Sequence, residues 1–64
     1  MRIDRIKLIT EMAKNKTKVY ELAAKAGLSR ATVISVKGGK SCNEDTAKKL
    51  SSALGIPLAE LLQQ

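Results

Sequence analysis

The side chains best equipped for chemistry in this sequence are cations: its 64 residues include 12 Lys and Arg, six Asp and Glu, one Cys and no His. Ten of the cations and only three of the acids fall within residues 1–40. Positive charge gathered on one part of a chain is typical of a domain that binds a polyanion. A basic surface that serves only solubility is the other interpretation. The same counts argue against an enzyme, since few groups remain for acid–base chemistry.

The single cysteine and the N-terminal residues indicate where such a chain resides. Cys42 has no partner for an intramolecular disulfide or a cysteine-rich metal site, and a free thiol suits a reducing cytoplasm. No signal peptide is predicted, because Asp4, Arg5 and Lys7 interrupt the apolar residues after Met1. No apolar run approaches the ~18 residues that span a membrane. We therefore expect a cytoplasmic protein without a metal, a cofactor or a small-molecule ligand.

The spacing of apolar residues predicts that the cations are carried by short helices. A first helix is predicted over residues 3–14, with Glu11 among the charged residues of its outer side. Its inner stripe is predicted to contain Ile6, Ile9, Met12 and Ala13, with Leu8 at the edge of the stripe. The polar residues 15–17 then break the helix.

Capping residues predict four more helices. The second covers about 18–26, capped by Thr17 or Lys18 and ended by Gly27. Ser29 caps a third helix over about 30–37, which Gly38 and Gly39 close. A fourth, capped by Asn43, runs to about Ala53 with Gly55 as its stop, and Pro57 opens a fifth through Leu62. The whole of residues 1–64 is therefore predicted to form one all-α, five-helix domain.

The segment from Val19 to Gly38 meets the requirements for two helices that cross at a tight turn. Ala23 offers a small residue at the crossing, and Gly27 is free to take a positive φ. Five apolar residues face the joint from both sides: Leu22, Ala26, Leu28, Val33 and Val36. Each condition is common by itself, but together within one short segment they predict a helix-turn-helix.

The run from Glu21 to Val33, ELAAKAGLSRATV, with Gly39-Lys40 and the later Leu54-Gly55-Ile56, resembles the Cro and phage-repressor (XRE-like) family. The likeness extends from the first helix to Leu62. It implies a lambda-repressor-like fold that binds double-stranded DNA, with the helix after Ser29 in the major groove.

The resemblance places four base-reading candidates at the start and middle of that helix: Arg30, Ala31, Ser35 and Ile34. Arg30 is the only long donor of the first turn, and it could bind guanine O6 and N7 or instead a phosphate. Ala31 could contact a thymine methyl group or serve only as a helix former. Ser35 could donate to a base, to a phosphate or to neither.

The resemblance also implies contacts with the DNA backbone on both sides of the reading helix. On one side the candidates are Lys18 and the amide of Val19, because helix N-termini bind anions through unpaired N–H groups. On the other side the loop offers exposed amides and a cation beside Lys37, from Gly38, Gly39, Lys40 and Ser41. The competing interpretation of this loop is a flexible helix stop with solvated lysines.

Two further backbone candidates lie at the turn itself. Ser29 and Thr32 both carry hydroxyl groups near the start of the reading helix. Thr32 could equally act as a local capping partner of Ser29.

The sequence departs from the family pattern in three places. Val19 stands where a phosphate-binding glutamine is usual, so only its backbone amide can serve. Lys37 stands where a glutamate is usual, and Met12 lies near the position of that glutamate's arginine partner. The ion pair is therefore absent, or reversed as Glu11 with Lys37.

Beyond the five helices, we expect neither an effector pocket nor a separate dimerisation domain. We therefore expect a transcriptional regulator that acts by occupying its operator, as small Cro-like repressors do. A single module makes few base contacts, so a homodimer on an inverted repeat is expected. Ile56 and Leu61 are assigned to the core, which leaves Leu58 and Leu62 as candidates for the dimer interface.

Two other classes of function remain open. A protein-interaction module, such as an antitoxin, would bind DNA weakly and without sequence preference and would hold a protein partner tightly. A basic segment on a membrane surface would use the first helix, but that helix lacks Trp and Phe and is needed for the core.

Overall fold

The computed structural model describes residues 1–63, which form five α-helices in the predicted order. They are α1 Arg5–Lys14, α2 Val19–Ala26, α3 Arg30–Lys37, α4 Glu44–Leu54 and α5 Leu58–Leu61. The all-α, five-helix prediction is confirmed. Helix α2 packs against both α3 and α4, while α1 lies against α3 and α5. Among the helices within residues 1–63, none combines the length and the apolar character needed to cross a bilayer.

The core is built from small and medium apolar side chains, which lets short helices approach closely. Its buried members are Ile3, Leu8, Met12, Leu22, Ala23, Val33, Val36, Ala47, Leu50, Leu54 and Leu61. Ala26, Leu28, Ile56, Leu58 and Leu62 are partly buried against this cluster. The two tail residues predicted for a dimer interface, Leu58 and Leu62, are thus partly used by the core of the chain itself.

Local caps set the helix boundaries largely as predicted. Ser29 Oγ accepts a hydrogen bond from the Thr32 amide at 3.1 Å, and Asn43 Oδ1 accepts one from the Thr46 amide at 2.8 Å. Gly27 ends α2 in the left-handed region with φ of 70°. The Leu28 amide then donates to Ala23 O at 2.9 Å, which closes the turn between α2 and α3.

The first helix begins two residues later than predicted, because Asp4 is its cap. Asp4 Oδ1 accepts hydrogen bonds from the amides of Ile6 and Lys7 at 3.1 and 3.2 Å. The residues before it are extended and pair antiparallel with residues 61–63. The Asp4 amide donates to Leu61 O at 2.8 Å, and the Gln63 amide donates to Arg2 O at 2.9 Å.

The buried face of α1 is rotated from the predicted stripe by about one residue, or about 100° around the axis. Leu8 is fully buried, whereas Ile6 is 63% exposed and Ala13 is also exposed. The apolar residues of this helix can be grouped into either of two stripes, and contacts with α3 and α5 select the one centred on Leu8 and Met12. The predicted inward positions of Ile6 and Ala13 were wrong.

Glu11 was predicted on the outer side of α1 but is only 6% exposed. Its Oε2 lies 3.2 Å from Lys14 Nζ and 3.5 Å from Lys7 Nζ. The hydrogen bond from Lys14 lowers the pKa of this carboxyl, and the positive charges of Lys14 and Lys7 lower it further. Burial raises the pKa, but the net effect is a pKa below the usual value. Its partners lie on its own helix, so the suggested Glu11–Lys37 pair was wrong.

We expect Glu11→Gln to destabilise the fold at pH 7, because it removes a carboxylate held by two ammonium groups. The folded-state pKa is lower than the unfolded value of about 4.3, so the carboxylate's contribution is complete above that value and is lost as the pH falls through the folded pKa. Urea midpoints of wild type and variant should therefore converge on acidification. Glu44→Gln, at an exposed pair with Lys48, is the control. A pH-independent difference would contradict this account.

Gly27→Ala is expected to destabilise the fold by about 1–2 kcal/mol, because an L-residue is strained in the left-handed region. Apart from Gly27 and its two chain neighbours, no atom lies within 4 Å of the added Cβ, so the cost is one of backbone conformation alone. Gly38→Ala is the matched control, since Gly38 has φ of −80°, and it should be neutral or stabilising by up to about 1 kcal/mol. Urea denaturation measures both. Equal effects would refute the left-handed requirement.

Candidate nucleic-acid interface

Helix α3 presents the four predicted base-reading residues on one face. Burial of Val33 and Val36 against α2 and the rest of the core fixes the rotation of the helix. At about 100° per residue, the outward face spans about 140° and contains all four candidates: Arg30, Ala31, Ile34 and Ser35. The first three are exposed and Ser35 is half-buried. The structure therefore brings these residues together on a convex, accessible helix, although their roles stay predictions.

The hydroxyl groups at the start of α3 are engaged with one another. Ser29 Oγ lies 2.8 Å from Thr32 Oγ1 in addition to accepting the Thr32 amide hydrogen bond. Of the two roles considered for Thr32, the structure thus supports the capping role. Thr32 is half-buried and lines the same groove as Ser41 and Asn43.

The start of α2 offers a lysine side chain but not the Lys18 amide. That N–H donates to Glu21 Oε1 at 2.9 Å, as expected for a glutamate in the first turn. Val19 is half-buried against the core, which leaves only its amide for an external acceptor. Lys37 was predicted on the other side, beside the loop after α3, but it lines a groove together with Lys18 and Val19. Three positions predicted for backbone contact therefore lie along one groove.

The loop after α3 does not expose the row of amides that was predicted. The amides of Gly38, Gly39 and Lys40 donate to the carbonyl oxygens of Ile34, Val36 and Ser35, at 2.9, 3.0 and 3.0 Å. The final carbonyls of a helix lack partners within the helix, and the following amides satisfy them. This loop is consequently an ordered helix end. The polar side chains that it presents for binding are those of Lys40 and Ser41, which are both exposed.

Two cations that the sequence did not single out lie beside this loop. Arg2 Nη1 donates to Gly39 O at 3.2 Å, and Arg5 Nε donates to Lys37 O at 3.3 Å. Both guanidinium groups are exposed and keep further N–H donors available. The only sequence signal was their charge and their spacing of three residues, because the contact joins residues more than thirty positions apart.

A convex helix with an arginine at its start, supported by a second helix across a tight turn and flanked by cations, defines a helix-turn-helix DNA-binding domain. A family model described as the Cro/C1-type HTH DNA-binding domain matches residues 7–63. The chain therefore belongs to the Cro/C1-type helix-turn-helix family, as its resemblance indicated. A comparison with curated proteins finds no match.

The chain is also similar in structure to a small part of longer proteins. It superposes on a mutant of hydroxyethylphosphonate dioxygenase with a TM-score of 0.88 and 28% identity, over 100% of this chain and 14% of that one. Native PhpD with cadmium atoms gives a TM-score of 0.85 and 26% identity, with the same coverage. The chain thus spans 14% of the length of these solved structures.

Lys40→Gln is expected to make DNA binding less sensitive to salt, because each phosphate contact contributes about 0.9 to the slope of log K against log salt. A fluorescence-anisotropy titration at several salt concentrations measures that slope. Lys49→Gln is the control with the same change of charge, at a lysine whose Nζ lies 3.1 Å from Asp45 Oδ2 on α4. Equal slopes for wild type and Lys40→Gln would show that Lys40 does not contact a phosphate.

Proposed function

We propose that this domain is a sequence-specific transcriptional regulator that represses by occupying its operator in double-stranded DNA. The observation that carries the proposal is the outward face of α3, where Arg30 and Ala31 are exposed at the N-terminal turn while Val33 and Val36 anchor the helix. An α-helix of this kind fits the major groove, and its N-terminal side chains reach base edges. Arg30 takes the role of a two-donor contact to guanine.

The flanking residues would supply affinity that is independent of sequence. Lys18, Lys37 and the Val19 amide form one group at the groove beside α2, and Lys40 and Ser41 form another at the end of α3. Arg2 and Arg5 extend the second group, because they donate hydrogen bonds to the carbonyl oxygens of Gly39 and Lys37. Cations on both sides of a reading helix fit the two phosphate backbones that border a major groove.

The proposal includes a homodimer on an inverted repeat. One α3 helix reaches only a few base pairs, so two copies related by a two-fold axis would be needed for useful specificity. Their half-sites would lie about 10 base pairs apart, which is one turn of DNA. The same proposal makes the domain a binding protein rather than an enzyme and places it in the cytoplasm, where it meets DNA.

Selection of bound sequences from random double-stranded DNA tests the proposal. Wild type should yield a palindromic consensus, and Arg30→Ala should lose the preference at one base pair in each half-site, a discrimination of about 1–3 kcal/mol. Lys48→Ala is the matched control, because it removes one cation from α4 and leaves α3 intact. Circular dichroism verifies that both variants are folded. A wild type that selects no consensus at moderate salt would refute sequence-specific regulation.

A protein-interaction module is the second candidate, and the exposed apolar side chains favour it. Ile6 on α1 is 63% exposed, and Ile34 on α3 is 58% exposed. Exposed apolar groups of this size lose contact with water when a protein partner covers them. An antitoxin-like protein would show tight binding to a protein and weak DNA binding without a consensus, so the same selection experiment separates the two functions.

A further inference from the structure

Tyr20 is the one aromatic residue of the chain, and it is not used in the core. It occupies the second position of α2 and is 52% exposed. A tyrosine usually contributes the largest apolar area to a small core, so its position on the surface calls for another role. Its ring lies under the guanidinium group of Arg30, with Arg30 Cζ 5.8 Å from the ring centroid.

The backbone between the two residues is held by several short-range contacts. Tyr20 lies near the start of α2, and Arg30 is the first residue of α3, directly after the Ser29 cap. Gly27 in the left-handed region and the hydrogen bond from the Leu28 amide to Ala23 O fix the crossing of the two helices. Tyr20 therefore faces Arg30 from a fixed position, and its ring can act as a platform.

We propose that Tyr20 is a positioning residue that sets the base specificity of Arg30. A guanidinium group that lies over an aromatic ring is supported through its face, while its N–H donors project from its edges. The edge is the part that forms two hydrogen bonds with guanine O6 and N7. Support from the ring restricts the rotamers of Arg30 before DNA arrives, so less side-chain entropy is lost on binding.

The charges around Arg30 agree with this role. None of the four ion pairs found among residues 1–63 includes Arg30. Within that range, the guanidinium group of Arg30 contacts the uncharged ring of Tyr20, which leaves its N–H donors for an external acceptor. A carboxylate partner would instead have occupied those donors.

This inference rests on the proposed DNA-reading function, and its test uses the operator selected by wild type. Tyr20→Leu removes the ring and keeps an apolar side chain, so the Kd for that operator should rise by about 2-fold to 5-fold, as expected for an exposed cation–π contact. Its preference should weaken at the base pair that Arg30→Ala randomises. Tyr20→Phe keeps the ring and should retain the wild-type Kd and the wild-type base preference.

Two comparisons separate a positioning role from a general loss of structure. In a double-mutant cycle, Tyr20→Leu should add little to the effect of Arg30→Ala, because both changes remove the same interaction. Ile6→Ala, which removes an exposed apolar side chain from α1, is the control and should keep the wild-type base preference. Thermal unfolding verifies that each variant is folded.

Three outcomes would overturn the inference. The first is equal loss in Tyr20→Phe and Tyr20→Leu, which would assign the effect to the phenol oxygen. The second is additive losses in the cycle with an unchanged base profile for Tyr20→Leu. The third is a salt slope lowered by about 0.9 in Tyr20→Leu, which would indicate that the ring holds Arg30 on a phosphate rather than on a base. If wild type selects no consensus, the proposed function itself fails, and that result is recognised before any variant is compared.

Discussion

The crossing of α2 and α3 is the constraint on which the rest of the structure depends. Ala23 is small enough for the two helices to approach, and Gly27 takes the left-handed conformation that redirects the chain. Burial of Val33 and Val36 then fixes which side of α3 faces outward. The core therefore determines the exposed surface of α3, because burial of Val33 and Val36 leaves the residues on the opposite side of the helix in solvent. A change in the crossing would rotate every side chain of the reading face together.

Hydrogen bonding at the helix ends decides which groups remain for a ligand. The carbonyl groups at the end of α3 accept hydrogen bonds from the amides of residues 38–40, and the Glu21 carboxylate accepts one from the amide of Lys18. Backbone donors that a loop of glycines suggests are thus already satisfied inside the chain. The electrostatic character of the interface consequently rests on lysine and arginine side chains, whose ordering on a phosphate costs conformational entropy.

Local signals were sufficient to predict the helices from the sequence. The contacts between residues far apart in the chain could not be predicted in this way. Ser29, Asn43 and Gly27 act within one turn of the chain, so their residue types alone identify the boundaries. The rotation of α1 and the burial of Glu11 depend on which neighbours it meets, and its apolar spacing allowed two solutions. The reading face was predicted from the family resemblance, and the inward positions of Val33 and Val36 agree with it. The arginine contacts with the loop and the Tyr20–Arg30 pair join separate elements, and no spacing rule reports them.

The antiparallel pairing of residues 2–4 with residues 61–63 has a consequence for how this fold can be combined with others. It holds residues near the two ends of the described chain side by side. A unit closed in this way can be spliced into the surface turn of a host protein with little additional loop-closure entropy, because the host backbone departs and returns at nearly the same place. Such a geometry suits a module that occupies 14% of a much longer polypeptide, as the matching segments of the dioxygenase structures do.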